Sequence, residues 1–306
     1  MPVALHANPF GLYHAPGLRL AKGKCPLNDE PTARAAPAGA AVASAIELRN
    51  LAVAFTLPSG SSYQAVAATN LNVSAREFVA VVGPTGCGKS TLLNVAAGLL
   101  APSAGEAFIF GAPLLGLNQS AGYLLQQDAL MPWKTARDNV AIGLEVGGTP
   151  RREALQAADG WLKNVGLAAF GDRYPHQLSG GQKKRVGLAQ VLIRDPKILL
   201  MDEPFGPLDA QTRQIIGTLL LELWAKDRKA VLFITHDLEE AIALADRVLI
   251  MSAGPEAGII GDYSIDLGRP RDASEIRLLP QFQALHKAIW NQLKDEVMRA
   301  YAGGGA

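Results

Sequence analysis

One stretch of the sequence constrains the fold more than any other, and it reads Gly83-Pro84-Thr85-Gly86-Cys87-Gly88-Lys89-Ser90-Thr91. It follows the apolar run Phe78 to Val82 and precedes a largely apolar run, Leu92 to Leu100, that is long enough for a helix. A glycine-rich loop between a buried strand and a helix is the context in which G-x-x-x-x-G-K-[ST] binds phosphate. The stretch therefore predicts a polyphosphate site, with Lys89 at the β- and γ-phosphates and the Ser90 hydroxyl on Mg²⁺. The alternative interpretation is a plain glycine-rich turn.

Composition narrows the class of protein. The chain has 306 residues, 49% of them hydrophobic, enough for one large domain or two lobes. Its net charge of +1 provides no basic field for nucleic acid and no acidic tail. No uninterrupted apolar run approaches the roughly 18 residues of a membrane span. Two distant cysteines, Cys25 and Cys87, suggest neither a disulfide framework nor a metal cluster, so we expect a reducing cytosol and no secretory signal.

The hydrophobic pattern predicts strands first and alternating elements later. Residues 1–44, rich in Ala, Pro and Gly, are predicted to be a disordered N-terminal extension, with a docking tail as the alternative. Strands are expected from Ile46 to Phe55 with one irregularity, then at Val66–Val73, Phe78–Val82, Ala107–Phe110 and Tyr123–Leu125. The helix Leu92–Leu100 is expected to be ended by Pro102 and Gly105.

Helical spacing then dominates. Lys134–Leu144 and Arg151–Val165 predict a helical insertion, and Ser179 is a natural N-cap for a helix over Lys183–Ile193. Further on, strands alternate with helices, which implies a parallel α/β sheet. These elements are strands Ile198–Met201, Ala230–Thr235 and Val248–Met251, and helices Gln211–Ala225 and Leu238–Ala245. The C-terminal segment carries a helical stripe that we interpret as a packing surface, made of Phe282, Leu285, Ile289, Leu293 and Val297.

Two adjacent carboxylates complete the predicted nucleotide site. Four apolar residues, Ile198–Met201, end in Asp202-Glu203, as in a buried parallel strand that delivers charge to its C-terminal end. Asp202 is predicted to hold Mg²⁺ opposite Ser90, and Glu203 to polarise the attacking water as general base. A surface acidic pair that caps the next helix is the alternative, and the apolar run before the pair argues against it.

Six motifs, in this order, resemble those of the ATP-binding-cassette (ABC) family, over about Ile46 to Asp266. They are GPTGCGKST at Gly83–Thr91, a Q-loop glutamine at Gln126, the signature LSGGQ at Leu178–Gln182, ILLMDEP at Ile198–Pro204, a D-loop ending Leu208-Asp209, and a switch histidine at His236. A signature shortly before LLMDEP, with a histidine after it, is far more specific than a phosphate loop alone.

The resemblance implies a fold: an α/β P-loop NTPase ABC domain over residues 45–270. It comprises a RecA-like mixed sheet, an N-terminal antiparallel β subdomain and a helical subdomain at about residues 127–195. Residues 271–306 would add a C-terminal amphipathic helix and tail.

The resemblance also implies ATP and Mg²⁺ as cofactors, and a second copy of the chain as partner. Gln126 would line the Mg²⁺ and water site, and His236 would hold the γ-phosphate and water. Asp209 would lie at the dimer interface, and Phe55 would stack on adenine, with Tyr63 as the second choice. The signature would bind the γ-phosphate held by the other subunit, through Ser179, Gly180, Gly181 and Gln182.

Two segments, QQDALMPW at Gln126–Trp133 and RDNVAIGLE at Arg137–Glu145, are similar to the ATPases of nitrate, sulfonate and taurine importers. This resemblance implies a peripheral subunit at the cytoplasmic face of the inner membrane that drives uptake of a small anion. A membrane permease would dock near Gln126–Trp133, and a periplasmic or lipid-anchored protein would deliver the anion. Trp133 would be an exposed anchor; packing between two lobes is the alternative.

The rival class is a soluble ABC ATPase that acts on nucleic acid or ribosomes. Such proteins usually fuse two cassettes or carry coiled-coil insertions, and this chain shows one cassette and no heptads, so no nucleic-acid partner is expected.

Two residues depart from the family pattern: Lys184 stands where Gln is common, and Pro207 where Ala is common. Cys87, beside a helix N-terminus, is expected to have a lowered pKa and to be alkylated unless ATP covers it.

Overall fold

A computed structural model describes residues 44–58, 60–273 and 275–303; the predicted N-terminal extension, Ser44 excepted, lies outside these residues. The strands are β1 (Ser44–Thr56), β2 (Ser62–Ser74), β3 (Phe78–Val82), β4 (Ala104–Ile109), β5 (Ala112–Pro113), β6 (Ala121–Leu124), β7 (Ile198–Asp202), β8 (Ala230–Ile234), β9 (Arg247–Met251) and β10 (Ile259–Ser264). The α-helices are α1 (Lys89–Ala96), α2 (Ala136–Glu145), α3 (Arg151–Asn164), α4 (Gly180–Leu192), α5 (Ala210–Lys226), α6 (Leu238–Leu244) and α7 (Pro280–Gly303).

Two sheets organise these elements. The larger has the order β10–β9–β3–β8–β7–β6, in which β10 is antiparallel to β9 and the other neighbours are parallel. The smaller is antiparallel, with the order β2–β1–β4–β5. The predicted irregularity in the first strand is confirmed, because the β1–β2 register shifts at several points between Leu48 and Ala54.

The larger sheet is covered on both faces, as its apolar strands predict. Alternate residues of β3 point to opposite sides. Phe78, Ala80 and Val82 pack with α5, α6 and α7, whereas Val79 and Val81 pack with α1 and the smaller sheet. Because β3, β8 and β7 are parallel neighbours, the residues that follow them emerge at one edge, and the functional site lies there.

The expected helical insertion is present as α2, α3 and α4. These helices share a core of their own, in which Val140, Ala158, Leu162 and Val186 are fully buried. The predicted N-cap of α4 is confirmed, because the Ser179 hydroxyl accepts a hydrogen bond from the backbone N–H of Gln182.

Helix α1 differs from its prediction at both ends. It begins at Lys89, inside the glycine-rich stretch, and it ends at Ala96 rather than near Leu100. Gly98, and not Pro102 or Gly105, stops it: its φ is +70°, and a Cβ there would lie 1.8 Å from the carbonyl oxygen of Gly116. Only glycine fits this left-handed position against a second backbone segment.

Strand β10 is not predicted by the hydrophobic pattern, because it is an edge strand with polar residues and alternate side chains exposed. The C-terminal stripe is confirmed as a packing surface: Phe282, Ile289 and Leu293 are buried in the core of the larger sheet, with Leu285 and Val297 beside them. No helix within the described ranges combines the length and apolarity that crossing a bilayer requires.

Candidate functional site

The glycine-rich stretch forms a tight loop between β3 and α1. Gly86 and Gly88 adopt φ values of +79° and +97°, which L-residues with side chains rarely adopt. A Cβ on Gly83 would lie 2.8 Å from the carbonyl oxygen of Met251, so this glycine permits the close approach of β9. Thr85 and Gly86 are exposed, and Ser90 and Thr91 stand in the first turn of α1. The loop thus presents backbone N–H groups at a helix N-terminus, where an anion binds favourably.

Lys89 is folded back over this loop. Its Nζ donates hydrogen bonds to the carbonyl oxygens of Gly83 (2.9 Å) and Pro84 (2.8 Å), and the residue is buried. A positive charge is therefore held above the loop, in the position from which it can neutralise phosphate oxygens.

Ser90 and Asp202 face each other across the edge of the sheet. The Ser90 hydroxyl donates to Oδ1 of Asp202 at 2.9 Å. Burial of Asp202 raises the pKa of its carboxyl, and the charge of Glu203 raises it further, whereas the Ser90 hydrogen bond and Lys89 oppose the shift. A half-buried carboxylate beside a hydroxyl is a set of hard oxygen donors, which fits Mg²⁺ bound together with a phosphate.

Glu203 lies at the centre of a second group. Its Oε2 is 3.1 Å from Nδ1 of His236 and 3.4 Å from Nε2 of Gln126. Its backbone is left-handed, with φ of +41°, and its N–H donates to the carbonyl oxygen of Ile234. Strained backbone in a non-glycine residue concentrates at functional sites. The structure therefore places two contacting groups side by side, Ser90 with Asp202 and Gln126 and His236 with Glu203, while their roles stay predictions.

The signature residues lie elsewhere on the same chain. Ser179 and Gln182 form a capping box at the N-terminus of α4. A Cβ on Gly181 would meet the Thr212 side chain at 2.5 Å, which places the signature against the start of α5. Within the described ranges, no hydrogen bond or ion pair joins Ser179–Gln182 to the phosphate loop.

Asp209 caps α5 next to the signature. Its carboxylate accepts the backbone N–H of Thr212 at 2.9 Å, and hydrogen bonds from Thr212 lower the pKa of the Asp209 carboxyl. The predicted interface residue thus also has a local structural role as an N-cap.

Both adenine-stacking candidates are exposed and belong to one cross-strand pair. Phe55 of β1 is directly opposite Tyr63 of β2. Gly254 lies between Tyr63 and the phosphate loop. A Cβ added to Gly254 would be 3.7 Å from the Tyr63 hydroxyl and 3.8 Å from the carbonyl oxygen of Gly86. The pair therefore stands near the phosphate loop, and which ring meets a base stays a prediction.

Trp133 is 72% exposed, which contradicts the alternative that it packs between two lobes. It ends a largely exposed segment that begins at Gln126, whose side chain contacts Glu203. Met131, near its end, is anchored by Asn139 of α2, whose Oδ1 accepts the N–H of Met131 at 2.7 Å.

The expectation for Cys87 is wrong. Its side chain is buried, and burial raises the pKa of the thiol; the nearby Lys89 charge opposes this shift without overcoming it. The sequence indicates a helix N-terminus near Cys87, but not that β9 and Gly83 enclose the sulfur.

Two basic residues near the site were not assigned to it from sequence. Lys184 donates a hydrogen bond to the carbonyl oxygen of Gln126. Arg213 donates one hydrogen bond to the carbonyl oxygen of Leu208 and another to the carboxylate of Asp237, which is the N-cap of α6. The one available signal was the departure from the family pattern at Lys184.

Comparison with known proteins gives a consistent result. Residues 66–206 match the ABC transporter family model. The chain is 44% identical over 256 residues to an uncharacterized ABC transporter ATP-binding protein of Methanocaldococcus jannaschii, covering 83% of this chain and 93% of that protein. It is 40% identical over 253 residues to the taurine import ATP-binding protein of Roseobacter denitrificans, covering 82% and 94%.

Solved structures agree. The ATP-binding cassette MJ0796, a dimer in a post-hydrolysis state bound to ADP and phosphate, has a TM-score of 0.64 at 30% identity, covering 73% of this chain and all of that one. A cassette of the Clostridium perfringens cbiONQ transporter complex also has a TM-score of 0.64, at 27% identity, covering 78% and 92%. The chain therefore belongs to the ABC transporter ATP-binding proteins and is an ATPase with the ABC cassette fold.

Proposed function

We propose that this protein is the ATP-hydrolysing subunit of an importer that takes up a small anion such as nitrate, a sulfonate or taurine. One observation carries the proposal: the largely exposed segment that starts at Gln126, in hydrogen-bond contact with Glu203, ends at Trp133, which is 72% exposed. Such a segment can transmit the state of the nucleotide to a docked partner. The 40% identity to a taurine import ATP-binding protein, over nearly its whole length, supports the importer class.

Within the site, the residues divide by chemistry. Gly83–Thr91 bind the phosphates, with Phe55 on the adenine. Ser90, Asp202 and Gln126 bind Mg²⁺, which when bound neutralises phosphate charge. Glu203 takes the proton of the attacking water, and His236, 3.1 Å from its Oε2, fixes the orientation of that carboxylate and meets the γ-phosphate.

A second copy of the chain completes each site. Among the described residues, no hydrogen bond or ion pair joins the signature to the phosphate loop of its own chain, which leaves the helix N-terminus at Ser179–Gln182 for another molecule and supports this proposal. Asp209 lies next to this surface, at the start of α5. ATP would then hold two chains together, and hydrolysis would release them.

The permease would dock beside Trp133. A groove of about 560 Å³ adjoins this segment, lined among others by Tyr123 of β6, Ile142 of α2, Val146 just after α2, and Val191 of α4. Its mixed apolar and polar lining fits an amphipathic helix. This arrangement would place the subunit at the cytoplasmic face of the membrane, where a separate solute-binding protein could supply the anion from the other side.

Dimer formation is the first test. Light scattering with ATP and Mg²⁺ should show a dimer for Glu203→Gln, in which slow hydrolysis preserves the nucleotide. Adding Ser179→Arg should leave a monomer that still binds ATP. An ATP-dependent dimer that tolerates Ser179→Arg would remove the shared site from the proposal.

Partner capture is the second test. Co-expression with candidate permease subunits should yield a membrane complex whose ATP turnover rises with one anion. Trp133→Ala should prevent co-purification, whereas Tyr301→Ala, an equally exposed aromatic on α7, should not. ATP turnover stimulated by nucleic acid or ribosomes, and by no permease, would favour the rival class.

A further inference from the structure

Lys184 is a buried lysine next to the catalytic group. It lies on the second turn of α4 and is 4% exposed. Its Nζ donates to the carbonyl oxygen of Gln126 at 2.6 Å and lies 3.0 Å from Oδ1 of Asp128. An ammonium group removed from water is costly unless it is paired, so both contacts are needed to hold the charge there.

The contacts of Lys184 differ from what a glutamine could make. Glutamine at this position could donate to the Gln126 carbonyl but could not form an ion pair with Asp128. The side chain of the neighbouring Lys183 makes no hydrogen bond or ion pair within the described part of the chain, so a lysine on this turn does not by itself reach the segment. The pair of contacts is therefore specific to the lysine at position 184.

These contacts lead directly to Glu203. The backbone of Gln126 is fixed by Lys184, and the side chain of Gln126 extends to Oε2 of Glu203 at 3.4 Å. Gln126, Asp128, Lys184 and His236 all line one cavity of about 570 Å³. A shift of the Gln126 backbone would therefore move the amide that faces the carboxylate.

We propose that Lys184 is a positioning residue for ATP hydrolysis, which holds the Gln126 backbone so that the Gln126 amide meets Glu203. Asp128 balances its charge and keeps Nζ on the carbonyl. The proposal rests on the proposed roles of Gln126 and Glu203. It adds a link between the signature helix α4 and the Q-loop, made by one ammonium group.

The test separates this role from a general contribution to folding. Lys184→Met keeps the length and packing of the side chain but removes both contacts. We expect kcat to fall about tenfold with nucleotide affinity unchanged, since a displacement of about 1 Å in a positioned group can cost up to 10²-fold. Lys184→Gln should retain more activity than Lys184→Met. Lys183→Met is the matched control and should keep the parent kcat.

A double-mutant cycle gives the decisive readout. If Lys184 acts through the Gln126 side chain, Lys184→Met should lower kcat in the parent but not in a Gln126→Ala background. Radiolabelled ATP keeps slow variants measurable, and thermal unfolding checks that each is folded. Should Lys184→Met not fold, Asp128→Asn, at a partly exposed position, enters the same cycle.

The outcomes are distinct. An equal fall of kcat in both backgrounds, or no fall in the parent, overturns the role of Lys184. A parent-like kcat for Gln126→Ala alone instead overturns the proposed role of Gln126, which is a failure of the proposed function and is recognised from that variant by itself.

Discussion

Oε2 of Glu203 lies 3.1 Å from Nδ1 of His236, although the two residues follow different strands, β7 and β8. The contact requires Nδ1 to carry a proton when Glu203 is ionised, which directs Nε2 away from the carboxylate. The same Oε2 meets the Gln126 amide. Two neighbours therefore fix one oxygen of Glu203 and leave Oε1 for a water.

Glu203→Gln should bind ATP normally but hydrolyse it about 10²- to 10⁴-fold more slowly, the usual contribution of a general base. Glutamine keeps the shape and can still contact Gln126 and His236, but it cannot take a proton. Single-turnover hydrolysis and equilibrium binding of a fluorescent nucleotide separate the two effects. Glu222→Gln, on the exposed face of α5, is the control. Hydrolysis near the parent rate would exclude Glu203 as the base.

Asp202→Asn should separate function from stability. Since burial and Glu203 raise the pKa of the Asp202 carboxyl, its ionised form is disfavoured by the fold when no cation is present. The variant should lose roughly 100-fold or more of Mg²⁺-dependent turnover. The melting temperature of the Mg²⁺-free protein should be no lower than that of the parent.

Ser90→Ala is the informative comparison for Asp202→Asn. It also removes a Mg²⁺ ligand, but it deletes the hydrogen bond that stabilises the Asp202 carboxylate, so its melting temperature should not rise. A clear loss of apo stability in Asp202→Asn would contradict the argument. Magnesium titrations of turnover and calorimetry of the apo protein measure both quantities.

The parts of the site that could be predicted from sequence are those in which a motif follows directly from a strand. The phosphate loop follows β3, and Asp202-Glu203 ends β7, so hydrophobic pattern and motif chemistry agree locally. Parallel pairing of β3, β8 and β7 then brings the motifs to one edge, which the alternation of elements also predicts. Phe55 and Tyr63, the two residues that the resemblance offers for adenine, pair across one hairpin, so the sequence does not distinguish between them.

The parts that could not be predicted depend on contacts between segments distant in sequence. Gly98 ends α1 because Gly116 passes close to it, and nothing near Gly98 indicates that approach. Lys184 reaches Gln126 from 58 residues away, and its sequence context is that of any polar helix position. The burial that controls the chemistry of Cys87 comes from β9, far along the chain.

Glu240 should make stability depend on pH. Burial raises the pKa of its carboxyl to about 7, and Asp237 adds to this; the hydrogen bond from Thr235 and the charges of Arg213 and His236 oppose it. Although Nε of Arg213 lies 3.2 Å from Oε1 of Glu240, burial is the larger effect. The pKa of Glu240 is higher in the folded protein than in the unfolded protein. The stabilising contribution of Glu240 is therefore complete at pH values below its unfolded pKa, and it is lost as the pH rises through about 7.

Glu240→Gln tests this dependence, because glutamine mimics the protonated carboxyl and still accepts from Thr235. The free energy of unfolding of the parent, minus that of the variant, should fall between pH 4.5 and about 7. The total change should be on the order of 3 kcal/mol. Urea unfolding at several pH values gives this difference, in which other titrating groups cancel. A difference independent of pH would show that Glu240 does not titrate in this range.

Glu296 should be a main attachment of the C-terminal helix. Its Oε2 accepts the backbone N–H of Ala253 at 2.9 Å, and its Oε1 lies 2.7 Å from Nη1 of Arg299. Glu296→Ala removes a charged acceptor from the partly buried N–H of Ala253 and should lower the free energy of unfolding by about 1–3 kcal/mol. Urea unfolding should show a lower midpoint with the same slope, while Asp295→Ala, exposed on the same turn, should match the parent. Equal midpoints for both variants would contradict this attachment.

Cys87 should react slowly whether or not nucleotide is present. Its side chain is 1% exposed, and its raised pKa keeps the thiol protonated near neutral pH, whereas the thiolate is the reactive form. The test uses a Cys25→Ser background, in which Cys87 is the single thiol. Iodoacetamide is added at a pH of about 7.5, which lies below the ordinary pKa of a thiol. Alkylation of Cys87 should be at least about tenfold slower than that of free cysteine. ATP should change the rate little, because the fold already covers the sulfur, and urea should restore full reactivity. Rapid labelling that ATP suppresses would contradict this prediction. It would mean that the phosphate loop opens and exposes Cys87 to solvent when no nucleotide is bound.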